Sequence, residues 1–168
     1  MDLFFKPIIY LHFVVLTLII CCFHFLSLIG FHLLDIFGSL VCSDENPNNL
    51  PCFNKTHGDL PKAYRKKISY VQKSAEGMVT DGQLDGGCDV CVIDPPRKGV
   101  EDLTLNKLCS KTDGRLKTIV YVSCGFDAFQ KDAKKLIEEG GYTITKAEGH
   151  VLFPGSDAIE TLAIFERP

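Results

Sequence analysis

The chain has 168 residues and therefore room for one domain of ordinary size. Its formal net charge is -3 and its pI is about 5.9, which excludes proteins that hold nucleic acid through a strongly basic overall charge. Binding of RNA would therefore depend on a particular site.

The chain contains eight cysteines, a number that would indicate a disulfide framework in a small secreted protein. However, Cys21, Cys22 and Cys42 lie in or beside an apolar segment. Cys88 and Cys91 form a Cys-x-x-Cys pair inside a strand-like run, with no second pair and no histidine nearby. This distribution indicates reduced thiols in an intracellular protein, and it predicts no metal site.

Residues 1–42 are almost wholly apolar, and no charged residue lies between Pro7 and Leu34. As a helix, this segment would be long enough to cross a bilayer core of about 30 Å. The pattern predicts an apolar N-terminal helix, with residues 8–30 as the approximate candidate transmembrane span. Two explanations stay open: a genuine anchor that locates the protein at a membrane, or a replaced or wrongly assigned N-terminus of an intracellular protein.

Residues 43–61 are rich in Ser, Asn, Asp, Pro and Gly, and this composition predicts a linker. The globular domain would then occupy residues 62–168.

Residues 62–168 alternate between strand and helix patterns, which predicts an open α/β sheet. Continuous apolar runs, as found in buried parallel strands, and shorter alternating runs predict strands at residues 68–72, 88–93, 118–122, 142–147 and 159–165. Apolar residues at helical spacing, in the second case followed by a pair of glycines, predict helices at residues 101–109 and 128–139.

Two of these strands lead directly into unusual polar sequences, at the end of an α/β sheet where ligands bind. Pro95 and Pro96 follow the first strand, and they fix an extended backbone that presents Asp94 at the strand tip. A rigid turn with a solvated pair of Asp94 and Arg97 is the alternative. Cys124 follows the second strand just before the longer helix, where a thiolate nucleophile is favoured. A lone cysteine at such a position is otherwise a small buried apolar side chain.

Three motifs follow one another in this part of the chain. They are Asp94-Pro95-Pro96-Arg97-Lys98-Gly99, then Tyr121-Val122-Ser123-Cys124 with Asp132 in the following helix, then Phe153-Pro154-Gly155-Ser156-Asp157-Ala158-Ile159-Glu160. Together they resemble the RNA (uracil-5-)-methyltransferase family over roughly residues 62–168. The resemblance implies the C-terminal part of a Rossmann-like methyltransferase sheet, S-adenosylmethionine as methyl donor, and a uridine of tRNA or rRNA as substrate.

The resemblance also implies a role for each site residue. Cys124 would add to carbon 6 of the uracil, and Glu160 would remove the proton from carbon 5. Asp94, with Pro95, would orient the uracil or the cofactor, supported by Arg97, and Ser74 would contact the adenine of the cofactor. The uridine would have to be unstacked, in a loop or flipped out of structured RNA.

The sequence departs from the family pattern at several points. Gly125 and Phe126 follow the cysteine where the family usually has Asn-Pro, and Ala158 stands where a histidine is usual. No Gly-rich cofactor loop is evident before Ile68, so we expect a truncated member that binds S-adenosylmethionine weakly or not at all. The alternatives are a membrane-anchored remnant that binds RNA or a partner without catalysis, and an amino-group methyltransferase, which Arg97 after the prolines argues against.

Overall fold

The computed structural model describes residues 17–22, 30–85, 88–110, 115–152, 154–155 and 159–168. Its strands are β1 (Thr17–Cys22), β2 (Ser39–Ser43), β3 (Ile68–Val71), β4 (Val90–Asp94), β5 (Thr118–Ser123), β6 (Thr143–His150) and β7 (Glu160–Glu166). Its helices are α1 (Asn49–Asp59), α2 (Lys62–Arg65), α3 (Ala75–Thr80), α4 (Asp102–Cys109) and α5 (Phe126–Glu138).

The strands form one sheet in the order β3-β2-β1-β4-β5-β7-β6. The five strands β1 to β5 pair in parallel, whereas β7 runs antiparallel between β5 and β6. Parallel neighbours need crossover connections, and helices supply them from β2 onward. The predicted α/β class is confirmed, and the five strands and two helices predicted beyond residue 62 are present with small shifts at their ends.

β1 is a central strand, paired with β2 on one side and β4 on the other. It lies inside the segment that was predicted as an apolar and candidate transmembrane helix, so that prediction is wrong for residues 17–22. A parallel strand that is covered on both faces needs a continuous apolar sequence, as a membrane helix does. The length of the apolar run was the feature that favoured a helix in the prediction. The rest of the predicted span before residue 30 lies outside the described residues. Within the described ranges, no helix is long and apolar enough to cross a membrane.

The predicted linker at residues 43–61 is also wrong, because it contains helix α1. Pro51 lies in the first turn of this helix, where a missing N–H costs little. Phe53 is the buried residue of α1, and its ring packs against Phe31 at 5.2 Å and Tyr70 at 5.1 Å between ring centroids. Because Phe53 is the buried residue of this helix, its sequence has almost no helical periodicity from which the helix could be predicted.

Apolar side chains cover both faces of the sheet. In β4, Cys91 and Ile93 belong to one cluster, with α3, α4 and α5, while Val92 belongs to the other, with α1. This division follows from the alternation of side chains along a strand. The sheet is therefore buried on both faces around β4, and the accessible functional positions of this strand lie at its end.

The central position of β1 can be tested with a proline. Ile20 is in register with Cys42 of β2 and Val92 of β4. We expect Ile20→Pro to remove a backbone N–H from a strand with neighbours on both sides, and to lower the free energy of unfolding by about 3 kcal/mol or more. Thermal unfolding followed by circular dichroism measures this, with Ile20→Val as the control. An unchanged melting temperature in the proline variant would contradict the placement of β1.

Candidate active site at the ends of β4, β5 and β7

Three of the predicted site residues meet at one end of the sheet. Asp94 ends β4, Cys124 directly follows β5, and Glu160 begins β7. Ser123 pairs with Thr161 across the antiparallel strands, so the next position outward sets Cys124 opposite Glu160. Parallel β4 and β5 end at the same edge of the sheet. The topology thus gathers a thiol and two carboxylates from three neighbouring strands.

Asp94 is the most electrostatically perturbed acid of this group. Burial raises the pKa of its carboxyl from 3.8 to about 6, and the neighbouring negative charge of Glu160 adds to the rise. Two carboxylates that share a site disfavour each other's ionisation. A carboxyl group with a pKa raised in this way is suited to take part in proton transfer or to donate a hydrogen bond.

Cys124 is half-buried, carries a free thiol, and lines a cavity of about 470 Å³. The other lining residues are mostly apolar and come from α5, from β6, from β7 and from the position just before β7: Phe126, Phe129, Ala147, Glu148, Gly149, Ile159 and Thr161. A cavity of this size can receive a nucleobase or a similar small group. The thiol is therefore accessible from a concave, largely apolar surface.

The buried carboxylate of Asp132 connects the two loops of the site. These are the proline loop after β4 (residues 95–101) and the short loop of Cys124 and Gly125 after β5. Its Oδ2 accepts a hydrogen bond from the Tyr121 hydroxyl at 2.6 Å and another from the Val100 backbone N–H at 2.8 Å. Burial, together with the hydrogen bond to Asp132, raises the pKa of Tyr121 above its ordinary value, so the hydroxyl remains a donor. Asp132 thus ties the loop after β4 to β5 and α5.

Gly125 is required by a close approach of the two loops. A Cβ atom added at this position would lie 2.5 Å from the carbonyl oxygen of Arg97 and 3.0 Å from its Cα. The Gly125 N–H also donates to Ser123 Oγ at 3.0 Å. Glycine stands here, where the family usually has asparagine, for a packing reason. The backbone of the proline loop occupies the space that a side chain at this position would need.

The Arg97 side chain is exposed. What the described structure shows of this residue is the contact of its backbone with Gly125. The predicted support by its guanidinium therefore stays a prediction.

A second, narrow cavity of about 40 Å³ lies beside Asp94. It is lined by Glu45, Ser74, Ala75, Ile93, Asp94, Pro95, Pro96, Val100, Glu101 and Thr104. Ser74 Oγ accepts a hydrogen bond from the Gly77 N–H at 3.1 Å and caps α3, so its hydroxyl already has a structural role. The structure places Ser74 and Pro95 beside Asp94, and the predicted contact of Ser74 with the adenine of the cofactor stays a prediction.

Two polar residues of this second cavity, Glu45 and Thr104, were not predicted from the sequence. Glu45 comes just after β2, but β2 lies at the end of the apolar segment of residues 1–42, beyond the predicted span of residues 8–30, and was not predicted as a strand. Thr104 is 1% exposed, and its hydroxyl has no hydrogen-bond partner among the described residues. An acidic residue shortly after a parallel strand was the available signal for Glu45; Thr104, within a predicted helix, had none.

Asp44 precedes Glu45 and holds the loop in place. Its carboxylate accepts hydrogen bonds from the Asn46 N–H at 2.7 Å and from Asn49 Nδ2 at 2.6 Å. These contacts connect the end of β2 to the start of α1. Glu45 therefore lies in a short turn that the hydrogen bonds of Asp44 hold in place.

No family model matches the chain. Among curated proteins, the chain is 36% identical over 128 residues to an uncharacterized RNA methyltransferase of Protochlamydia amoebophila, covering 76% of this chain and 32% of that protein. It is 40% identical over 109 residues to the 23S rRNA (uracil(1939)-C(5))-methyltransferase RlmD of Xanthomonas axonopodis pv. citri, covering 65% of this chain and 22% of that protein. The chain thus spans a third or less of the length of these relatives.

Solved structures of methyltransferases share the fold. The methyltransferase domain of bacterial CtHen1 superposes with a TM-score of 0.64 at 16% identity, covering 91% of this chain and 90% of that domain. A putative tRNA (m1A22) methyltransferase of Streptococcus pneumoniae, in complex with S-adenosyl-L-methionine, gives a TM-score of 0.62 at 10% identity, covering 89% of this chain and 64% of that protein. At these identities the likeness concerns the fold alone.

The contact between the two loops predicts the effect of a methyl group at Gly125. Because the added Cβ would meet backbone atoms, we expect Gly125→Ala to lower the free energy of unfolding by about 1–3 kcal/mol. Gly58→Ala in α1 is the matched control, since a Cβ there meets nothing within 4 Å, and it should stabilise by about 0.5–1 kcal/mol. Urea unfolding at equilibrium measures both. Equal stabilities of wild type and Gly125→Ala would contradict the close approach.

The raised pKa of Asp94 predicts how stability depends on pH. The folded state holds this proton more tightly than the unfolded state, so stability falls as the pH rises from 3.8 to about 6 and stays lower above that range. Asp94→Asn removes this loss, and we expect the melting temperature of this variant at pH 7 to be higher than that of wild type.

Thermal unfolding at pH 4 and pH 7 measures this effect as the difference between wild type and Asp94→Asn. Glu160→Gln should shift the wild-type transition to lower pH without abolishing it, because burial remains. A difference that does not change between the two pH values would contradict the perturbed pKa.

Proposed function

Because the chain belongs to the RNA (uracil-5-)-methyltransferase family, we propose that it catalyses the transfer of a methyl group from S-adenosylmethionine to carbon 5 of a uridine in RNA. The observation that carries the proposal is the meeting of Cys124, Glu160 and Asp94 at adjoining strand ends. The curated relatives include an enzyme named for uracil-C5 methylation of 23S rRNA, which makes ribosomal RNA the first substrate to test.

The residues around the second cavity fit the adenosyl part of S-adenosylmethionine. Glu45 follows the second parallel strand, where an acidic residue accepts hydrogen bonds from ribose hydroxyls in Rossmann-like folds. The unpaired buried hydroxyl of Thr104 offers a further polar contact, and Ile93 and the two prolines offer apolar surface. The loop that follows β1 begins at residue 23 and lies outside the described residues.

These residues weaken the expectation that the chain lacks the means to bind its cofactor. The expectation rested on placing the first sheet strand at residue 68, whereas two parallel strands precede it. When bound, S-adenosylmethionine supplies the electrophilic methyl group that carbon 5 accepts.

Cys124 provides the nucleophile in this proposal. Its thiolate forms a bond to carbon 6 of the uracil, and the electron pair of the 5,6 double bond moves toward carbon 5, which becomes nucleophilic. Cys124 is half-buried and lines a largely apolar cavity, in which the base would lie beside the thiol.

Glu160 completes the cycle as the base. It removes the proton from carbon 5 after methylation, the double bond re-forms, and the bond between carbon 6 and sulfur breaks to release Cys124. Asp94, with its pKa near 6, adjoins Glu160 and orients the uracil by hydrogen bonding. Arg97 has an exposed guanidinium beside the same loops and is suited to contact a phosphate of the RNA.

Trapping of the covalent adduct tests the mechanism. Wild type is incubated with S-adenosylmethionine and unmodified 23S rRNA or tRNA transcripts, and protein–RNA adducts are resolved on denaturing gels. We expect Glu160→Gln to accumulate an adduct because carbon 5 keeps its proton, whereas Cys124→Ser forms none. Wild type should turn over and leave little adduct.

Cys52→Ser is the control, because Cys52 is an exposed free cysteine in α1. It should behave as wild type in turnover and in adduct formation. Methyl transfer that survives in Cys124→Ser would overturn the covalent mechanism. The absence of both methyl transfer and adduct in wild type with either class of RNA would overturn the proposed function.

A further inference from the structure

Phe126 is a large apolar side chain that the fold does not bury. It is the first residue of α5 and is 53% exposed. It also lines the same cavity as Cys124, two positions away in the chain. Most large aromatic side chains of a small domain are buried or partly covered. An exposed ring beside a candidate nucleophile therefore suggests contact with a ligand.

The ring is held in place by its neighbours. Its centroid lies 6.1 Å from that of Phe129, with an angle of 32° between the ring planes. Phe129 is buried and meets Tyr121 edge-on at a centroid distance of 5.3 Å. The tight packing of Gly125 against the Arg97 backbone fixes the start of α5 just before the ring. Phe126 is thus preorganised on a rigid part of the domain.

We propose that Phe126 is the stacking platform for the unstacked pyrimidine that Cys124 attacks. The inference rests on the proposed function and adds a positioning residue to it. A base that leaves its RNA stack loses stacking energy, and an exposed aromatic ring restores part of it. The ring stacks on part of one face, offset from carbons 5 and 6, so that these two carbons stay open to the thiol and to the methyl group, and the edge of the base stays free for hydrogen bonds.

The rest of the cavity supports a base as the occupant. Ile159 is 48% exposed and lies on the β7 side of the same cavity, next to Glu160. The exposed Val151 and Leu152 follow β6 close by in the chain. An apolar rim suits a flat base, whereas the sugar and phosphates would remain outside, within reach of solvent and of exposed cations such as Arg97.

The test separates stacking from general apolar packing. Phe126→Leu keeps an apolar side chain without a π face, and Phe126→Tyr keeps the ring. Adduct formation is followed with transcripts that contain 5-fluorouridine, in which carbon 5 has no proton to lose and the methylated adduct persists. We expect Phe126→Leu to lower the rate of adduct formation at subsaturating RNA at least about fivefold, and Phe126→Tyr to stay within about twofold of wild type.

Ile137→Ala is the matched control, because Ile137 is an exposed apolar residue of the same helix, 41% exposed, outside the cavity. It should leave the rate unchanged. Melting temperatures of all variants are measured alongside, and we expect Phe126→Leu to melt with wild type, since the ring is half exposed.

The outcomes distinguish the two proposals. Wild-type adduct formation together with a normal rate in Phe126→Leu would overturn the stacking role and leave the proposed function standing. Loss of rate in Phe126→Tyr as severe as in Phe126→Leu would also overturn it. Absence of adduct in wild type would overturn the proposed function and the stacking role with it.

Discussion

The buried carboxylate of Asp132 is the contact on which the candidate site depends. The loop after β4 has no strand pairing of its own beyond Asp94, and it would be free to move without a partner. Asp132 holds it through the Val100 N–H and holds α5 to β5 through the Tyr121 hydroxyl. A buried carboxylate is costly unless it is hydrogen-bonded, and both donors here bond to the same oxygen. Asp132, a residue of α5, therefore helps to fix the relative positions of Asp94 and Cys124.

The second constraint is steric and acts on the same pair of loops. Gly99 has a φ of +92°, and a Cβ there would lie 2.8 Å from Asp132 Oδ2. Gly125 would place its Cβ against the Arg97 carbonyl. One glycine thus lets the proline loop turn onto Asp132, and the other lets it approach the start of α5. The two small residues and the carboxylate form one unit, which explains why Gly125 is compatible with the site although the family pattern differs there.

Much of the fold and site followed from the sequence beyond residue 62. Strands β4 and β5 are continuous apolar runs, and α5 has a clear helical period, so their positions and the loops after them were predictable. Asp94 and Cys124 were found because each stands where a buried strand ends, whereas Glu160 was singled out only by the resemblance of its motif to the family. The first two strands were missed because a parallel strand covered on both faces and a membrane helix have the same apolar composition, and only pairing with neighbours distinguishes them. Glu45 was missed for that reason, since its meaning depends on the strand before it.

The properties that periodicity cannot predict are those that arise from contacts between distant segments. The raised pKa of Asp94 comes from burial and from Glu160, which is 66 positions away by residue number and adjacent only through the β5 and β7 pairing. Phe126 likewise lines one cavity with residues of β6 and with Ile159 and Thr161, which are distant from it in the sequence. Comparison with the family pattern shows only that the two positions after the cysteine differ. The fold explains the difference in physical terms. Gly125 makes room for the backbone of Arg97, and Phe126 lines the same cavity as the thiol of Cys124.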